Sequence, residues 1–140
     1  MVTATCALLM WLTAVPALDF ALPGRERIAA MFFIAALVVG LSAVLGFRRA
    51  KTTLNPLQPE TASALVVRGV YRWTRNPMYL AMLLVLIGWA CIVSNWAALA
   101  MLPLFVIYLN RFQIGAEERA LRARFGAEFE NYCRKVRRWL

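Results

Sequence analysis

Runs of apolar residues, interrupted at a few places by charge, set the pattern of this chain. Four such runs stand out, about Thr3 to Leu22, Ile28 to Phe47, Pro77 to Val93 and Trp96 to Phe112. A helix rises about 1.5 Å per residue and needs roughly 20 residues, with about 17 as a lower limit, to cross the hydrocarbon core of a bilayer. Each run therefore predicts a transmembrane helix, and Ser94-Asn95 predicts the tight turn of a helical hairpin between the last two. After Phe112 the pattern changes. At 100° per residue Ile114, Leu121, Phe125, Phe129, Tyr132, Val136 and Trp139 fall on one quadrant of a helical wheel, and most of the opposite face is arginine, lysine and glutamate. This describes an amphipathic helix lying in the membrane interface or folding back over the bundle, with Gly126 as a possible break. The expected architecture is all-α: one domain over residues 1–140, four transmembrane helices, a connector over 48–76 and an amphipathic tail over 113–140.

Composition sharpens this picture. The chain is 62% hydrophobic, more than a soluble domain of 140 residues can hide. Mean hydropathy is +0.63. Charged residues make up only 16% and cluster beside the apolar runs. The net charge of +9 is therefore read as contact with anionic lipid and as an orientation signal, not as nucleic-acid binding. Of the sixteen lysines and arginines, only Arg25 and Arg27 fall in the short connector between the first two runs. The rest sit in the long connector, in the tail or, as Arg111, at the end of the fourth run beside the tail, and with four crossings connector and tail share a side. The positive-inside rule places that side, and both termini, in the cytoplasm. A signal peptide is the competing reading of the first run, since Val15-Pro16-Ala17 loosely resembles a cleavage site, but no positive charge precedes it. Asp19 is expected at the interface, where its carboxylate stays hydrated.

Candidate chemistry is narrow. Cys6, Cys91 and Cys133 are widely spaced, so neither a disulfide framework nor a zinc knuckle is expected, and no metal site is assigned. Histidine is absent, which removes the commonest general base. The connector between the second and third helices carries Pro56, Pro59, Gly69 and Pro77, which break any continuous helix, and connectors of this length are often functional. Asn76-Pro77 reads as a helix start, asparagine being a good N-cap and proline a good first residue. Glu117 and Glu118 open the tail helix, Glu118 projecting into the apolar stripe and Glu117 at its edge. They either offset the helix dipole or accept hydrogen bonds from a ligand.

Taken in order, Gly69-Val70-Tyr71-Arg72, Arg75-Asn76-Pro77-Met78-Tyr79, a hairpin, Glu117-Glu118, Leu121, Phe125-Gly126 and Tyr132 resemble the isoprenylcysteine carboxyl methyltransferase family and the related phospholipid methyltransferases. The resemblance covers roughly residues 52–139. Asn76 stands where that family often has histidine, Val70 where proline is frequent, Ala81 where glycine is usual and Phe129 where tyrosine is common. The resemblance implies a methyltransferase using S-adenosyl-L-methionine at the membrane face. Cofactor-binding residues would be Asn76, Pro77, Tyr79, Tyr71, Glu117 and Glu118, with Arg75 or Arg72 as the clamp for the acceptor. The acceptor it implies is lipid-like or prenylated, with membrane lipids as neighbours; oligomeric state stays open. Chemistry agrees with this. The acids suit an ammonium or ribose, an arginine or the amides of the third helix's first turn suit a carboxylate, and Tyr79, Tyr71 and Trp73 suit stacking. Carboxyl methylation needs no proton to move, which fits a chain without histidine. Three rival readings are a small four-helix transporter, disfavoured because no ionisable group lies deep in a span, a nicotinamide-dependent membrane reductase, and a non-catalytic relative.

Overall fold

The computed structural model describes residues 1–50 and 65–140. Pro56 and Pro59, expected to break any continuous helix in the connector, lie outside the described residues. The described chain is helical: α1 (Val2–Leu12), α2 (Arg25–Arg49), α3 (Pro77–Val93), α4 (Trp96–Tyr108) and α5 (Gly115–Lys135), with short 3-10 turns at Pro16–Leu18 and Gly69–Arg72. A π-helical turn over Leu109–Ile114 joins α4 to α5 without a break.

Two helices are long and apolar enough to cross a membrane, α2 and the Trp96–Lys135 helix, which is kinked at Gly126, while α1 and α3 are shorter apolar helices. Protein covers only 17% and 22% of their most apolar stretches, whereas a soluble core helix of that hydropathy is mostly buried. Exposed Met31, Ile34, Leu37, Val38 and Leu41 on α2 are suited to lipid contact.

The first run departs from expectation. A helix over Thr3–Leu22 was expected, but α1 stops at Leu12 and its 11 residues are too short to span alone. Pro16 is the cause, because it lacks an amide proton and pushes Val15 out of helical geometry. The fourth run also differs: its helix does not end at Phe112 but continues through the π turn into the tail.

Chain contacts cluster into two compact units, residues 1–38 with 80–108, and residues 39–79 with 109–140. In the first unit α1 packs on α4, and the Trp89 indole donates to the Ala7 carbonyl at 3.0 Å. Gly88 allows α3 to approach α2 closely, since a Cβ there would meet the Phe33 ring at 2.9 Å and the Ala29 carbonyl at 3.2 Å. The hairpin turn forms as expected. Ser94 takes a left-handed conformation (φ 50°), and the Asn95 side chain caps α4 by accepting from the Ala97 amide at 2.9 Å. Fully buried Asn95 also donates to the Val15 carbonyl at 2.8 Å and to Asp19 Oδ1 at 2.7 Å, so Asp19 has a protein partner in addition to any water.

The second unit holds two apolar clusters. Ala43, Val66 and Tyr71 pack with Phe47, Ala50, Val70 and Met78. Phe129, Tyr132 and Val136 pack with Leu65, Leu121, Phe125 and Cys133, so much of the tail's apolar stripe is buried against the chain itself. Gly126 has φ 48° and ψ −121°, a backbone that side chains disfavour, and α5 kinks there as the sequence suggested.

Candidate functional site

The second unit brings the beginning of α3 to the beginning of α5. Pro77 is fully buried as the first residue of α3. Two residues later the Tyr79 hydroxyl donates to Glu117 Oε1. Beside it, Arg75 forms an ion pair with Glu118 at 3.2 Å, both side chains being largely buried. Two stretches about forty residues apart in sequence thus share one cluster of charge.

Arg138 completes the cluster. Its Nε donates to Glu118 Oε1 at 3.0 Å and its Nη2 to Oε2 at 2.6 Å, a two-pronged arrangement that guanidinium and carboxylate geometries match well. Its Nη1 reaches Asn110 Oδ1 at 3.4 Å, and the Trp139 indole donates to the same oxygen at 3.2 Å. The backbone here is tied to the Thr74-Arg75-Asn76 turn. The Arg75 amide donates to the Arg137 carbonyl at 3.0 Å, the Asn76 side-chain amide to the Arg138 carbonyl at 2.9 Å, and the Thr74 hydroxyl to that same carbonyl at 3.3 Å. Thr74, almost fully buried, also accepts from the Asn76 amide at 3.1 Å.

The two acids have different partners, Tyr79 for Glu117 and two arginines for Glu118. Burial raises the Glu117 carboxyl above its ordinary value; hydrogen bonds from Tyr79 and Gln113 oppose that rise and the neighbouring Glu118 charge adds to it. The hydrogen bond to Glu118 pushes the Arg138 guanidinium upward, against burial. The dipole explanation for the acid pair loses its basis. Ile114 is itself helical (φ −61°, ψ −41°), so α5 continues the preceding turn and has no free N-terminus for Glu117 and Glu118 to offset.

Of the residues the sequence nominates, Arg75, Asn76, Pro77, Tyr79, Glu117 and Glu118 meet in this unit. Tyr71 is used elsewhere: buried, it packs edge-on against Phe47 with ring centroids 5.4 Å apart, and its carbonyl accepts from the Tyr132 hydroxyl at 2.7 Å. Arg72 is exposed on the Gly69–Arg72 turn and Trp73 is 76% exposed. Sequence reasoning missed Thr74, Asn110 and Arg138. Asn110 carried a usable signal, as a lone amide closing an apolar run, whereas Arg138 was counted only as orienting charge.

The arrangement fits a ligand that carries both charges. Glu117 is held by Tyr79 and Glu118 by two guanidinium groups, and Arg75 Nε is buried with no hydrogen-bond partner among the described residues. A buried unmatched donor is uncommon in folded proteins, and an anionic group would satisfy it. Among the described residues no group of histidine, cysteine, aspartate and glutamate could hold a metal ion.

Comparison with known proteins identifies the family. Residues 25–128 match the phospholipid methyltransferase family, a region that includes Arg75 through Tyr79, Asn110, Glu117 and Glu118 but not Arg138. An uncharacterized protein of Haemophilus influenzae is 43% identical over 63 residues, 45% of this chain and the whole of that protein. No solved structure matches the chain.

Proposed function

Because the chain belongs to the phospholipid methyltransferase family, and is thereby a membrane methyltransferase, we propose that it transfers a methyl group from S-adenosyl-L-methionine to a lipid-like acceptor. The observation that carries the proposal is the pairing of Tyr79 with Glu117 and of Arg75 with Glu118. A bound donor supplies an electrophilic methyl carbon on a sulfonium: the carbon–sulfur bond breaks as the acceptor–carbon bond forms, and the electron pair stays on sulfur. The protein's task is then alignment and exclusion of water. Glu117 and Glu118 would hold the donor's ammonium or ribose hydroxyls, with Asn76 and Pro77 shaping the turn against which it lies. Tyr79 would fix Glu117 and present its ring to the sulfonium. Arg75, with its spare Nε, would hold the carboxylate of the donor or of the acceptor. Arg72, exposed on the preceding turn, would meet the acceptor before it is seated.

A carboxylate acceptor, as in isoprenylcysteine carboxyl methylation, is the first choice, since it attacks without losing a proton and this chain has no histidine. A second reading, an amine on a phospholipid headgroup, is favoured by the family's description and by one observation. Glu117, its carboxyl raised by burial, is suited to accept the proton such an amine must lose. Fourteen of sixteen basic residues lie in the segments flanking this cluster, which supports a cytoplasmic site.

The test is calorimetric titration of the purified protein with S-adenosylhomocysteine, using wild type, Tyr79→Phe and Glu118→Gln. Binding in the micromolar range, weakened several-fold by Glu118→Gln, is expected. Affinity unchanged in both variants would remove the site assignment. Incubation with methyl-labelled donor and either a prenylcysteine or phosphatidylethanolamine then separates the two acceptors.

A further inference from the structure

Glu118 presents a difficulty for any donor that approaches it. Its Oε2 is held by Arg138 Nη2 at 2.6 Å, and its Oε1 is shared between Arg138 Nε at 3.0 Å and Arg75 at 3.2 Å. Both oxygens are therefore occupied by cationic donors. The two arginines are not equivalent. Arg75 is the inner partner with its side chain 15% exposed, whereas Arg138 is the outer one at 37%. Arg138 also sits on backbone that has left the helix, because Val136 is extended (φ −126°, ψ 131°) directly after Lys135.

We propose that residues 137–139 form a strap in which the Arg138 guanidinium occupies the place of the donor's ammonium group between Glu118 and Asn110, so that the strap lifts when the donor binds. The inference rests on the donor site proposed above and adds Asn110 to it. Three features support an exchange of cations. The oxygens that hold Arg138, two from Glu118 and one from Asn110, form an acceptor set that an ammonium can use equally well. Buried Val136 anchors the start of the strap in the tail cluster and gives it a fixed pivot. Beyond the pivot, the strap's polar attachments go to the Thr74-Arg75-Asn76 turn and to Asn110, the groups that surround the donor site. Lifting it leaves Glu118 paired with Arg75, so the carboxylate is never left buried without a cation.

A competing closed state lowers apparent affinity by the fraction of molecules that are open, and loosening it returns that factor. Arg138→Gln, which empties the cation position, and Trp139→Ala, which removes an anchor without touching Glu118, are each expected to bind S-adenosylhomocysteine about three- to tenfold more tightly than wild type. In the wild-type protein, S-adenosylhomocysteine is expected to speed tryptic cleavage after Arg137 and Arg138, read by intact mass, a measurement that does not depend on either variant folding. Equal or weaker binding in both variants, or cleavage slowed by the ligand, would overturn the strap while leaving the donor site standing. Binding absent from wild type and variants alike would overturn the site and the strap together.

Discussion

Glu118→Gln probes the charge cluster most sharply. The carboxylate accepts from Arg138 Nε and Arg75 Nη1 through Oε1 and from Arg138 Nη2 through Oε2. Glutamine offers one carbonyl oxygen and one amide nitrogen, and the nitrogen, itself a donor, must face a guanidinium donor whichever way the amide turns. In the better orientation the contact to Arg138 Nη2 is lost, and in the worse one both contacts at Oε1 are. A hydrogen bond to a charged group contributes about 1.5–3 kcal/mol. Arg138 is more than a third exposed, so solvent screening places its share near the low end. Against that, Arg75 is left buried beside a neutral group, which is costly. The net expectation is about 2–3 kcal/mol of lost stability, or roughly 5–10 °C in Tm for a chain of this size. Thermal unfolding in detergent micelles without ligand, followed by tryptophan fluorescence, reads it directly. A Tm equal to that of wild type would refute the reasoning, because it would mean that the arginines do not depend on this carboxylate in solution.

Other expectations concern packing and pH. Phe129, 2% exposed at the centre of the tail cluster, is expected to cost about 3–5 kcal/mol when changed to alanine, measured by the same melts. Gly88→Val places a side chain where a Cβ already meets Phe33 at 2.9 Å, and a loss of about 1–3 kcal/mol is expected, with protease resistance of α2 and α3 as the check. Because burial raises the Glu117 carboxyl, the folded chain holds that proton more tightly than the unfolded chain does. This group's contribution is therefore most favourable at low pH and is lost as pH climbs from the ordinary carboxylate value through the raised one. Melts of wild type and Glu117→Gln across that interval are expected to converge at the acidic end and diverge above it, Glu117→Gln losing less.

How much of this was legible depended on the kind of signal. The limits of α3 were readable to the residue because Asn76-Pro77 starts a helix and Ser94-Asn95 ends one, both through local backbone chemistry. The first run was overread. Apolar composition alone does not distinguish a helix from an extended apolar segment, and Pro16 carried the correct information. The fourth helix was ended too early, since the hydropathy pattern changes after Phe112 although a π turn carries the backbone through it. The tail's stripe was read as one helical face, but the helix kinks at Gly126 and ends at Lys135, and Leu121, Phe125, Phe129, Tyr132 and Val136 of that stripe pack together with Leu65. The pairing of Tyr79 with Glu117 had no local signature; resemblance to a family nominated the two residues but not their contact. Arg138 had neither, because a guanidinium beside other arginines looks like surface charge until the chain folds.

The central claim is that the start of α3 and the start of α5 enclose one methyl donor. An experimental structure of the protein with S-adenosylhomocysteine bound tests it most directly. The expected result is one ligand touching the turn at Arg75–Tyr79 and the Glu117-Glu118 pair at once, with Arg138 displaced from Glu118. A ligand seated elsewhere, or touching one of these stretches without the other, would contradict it.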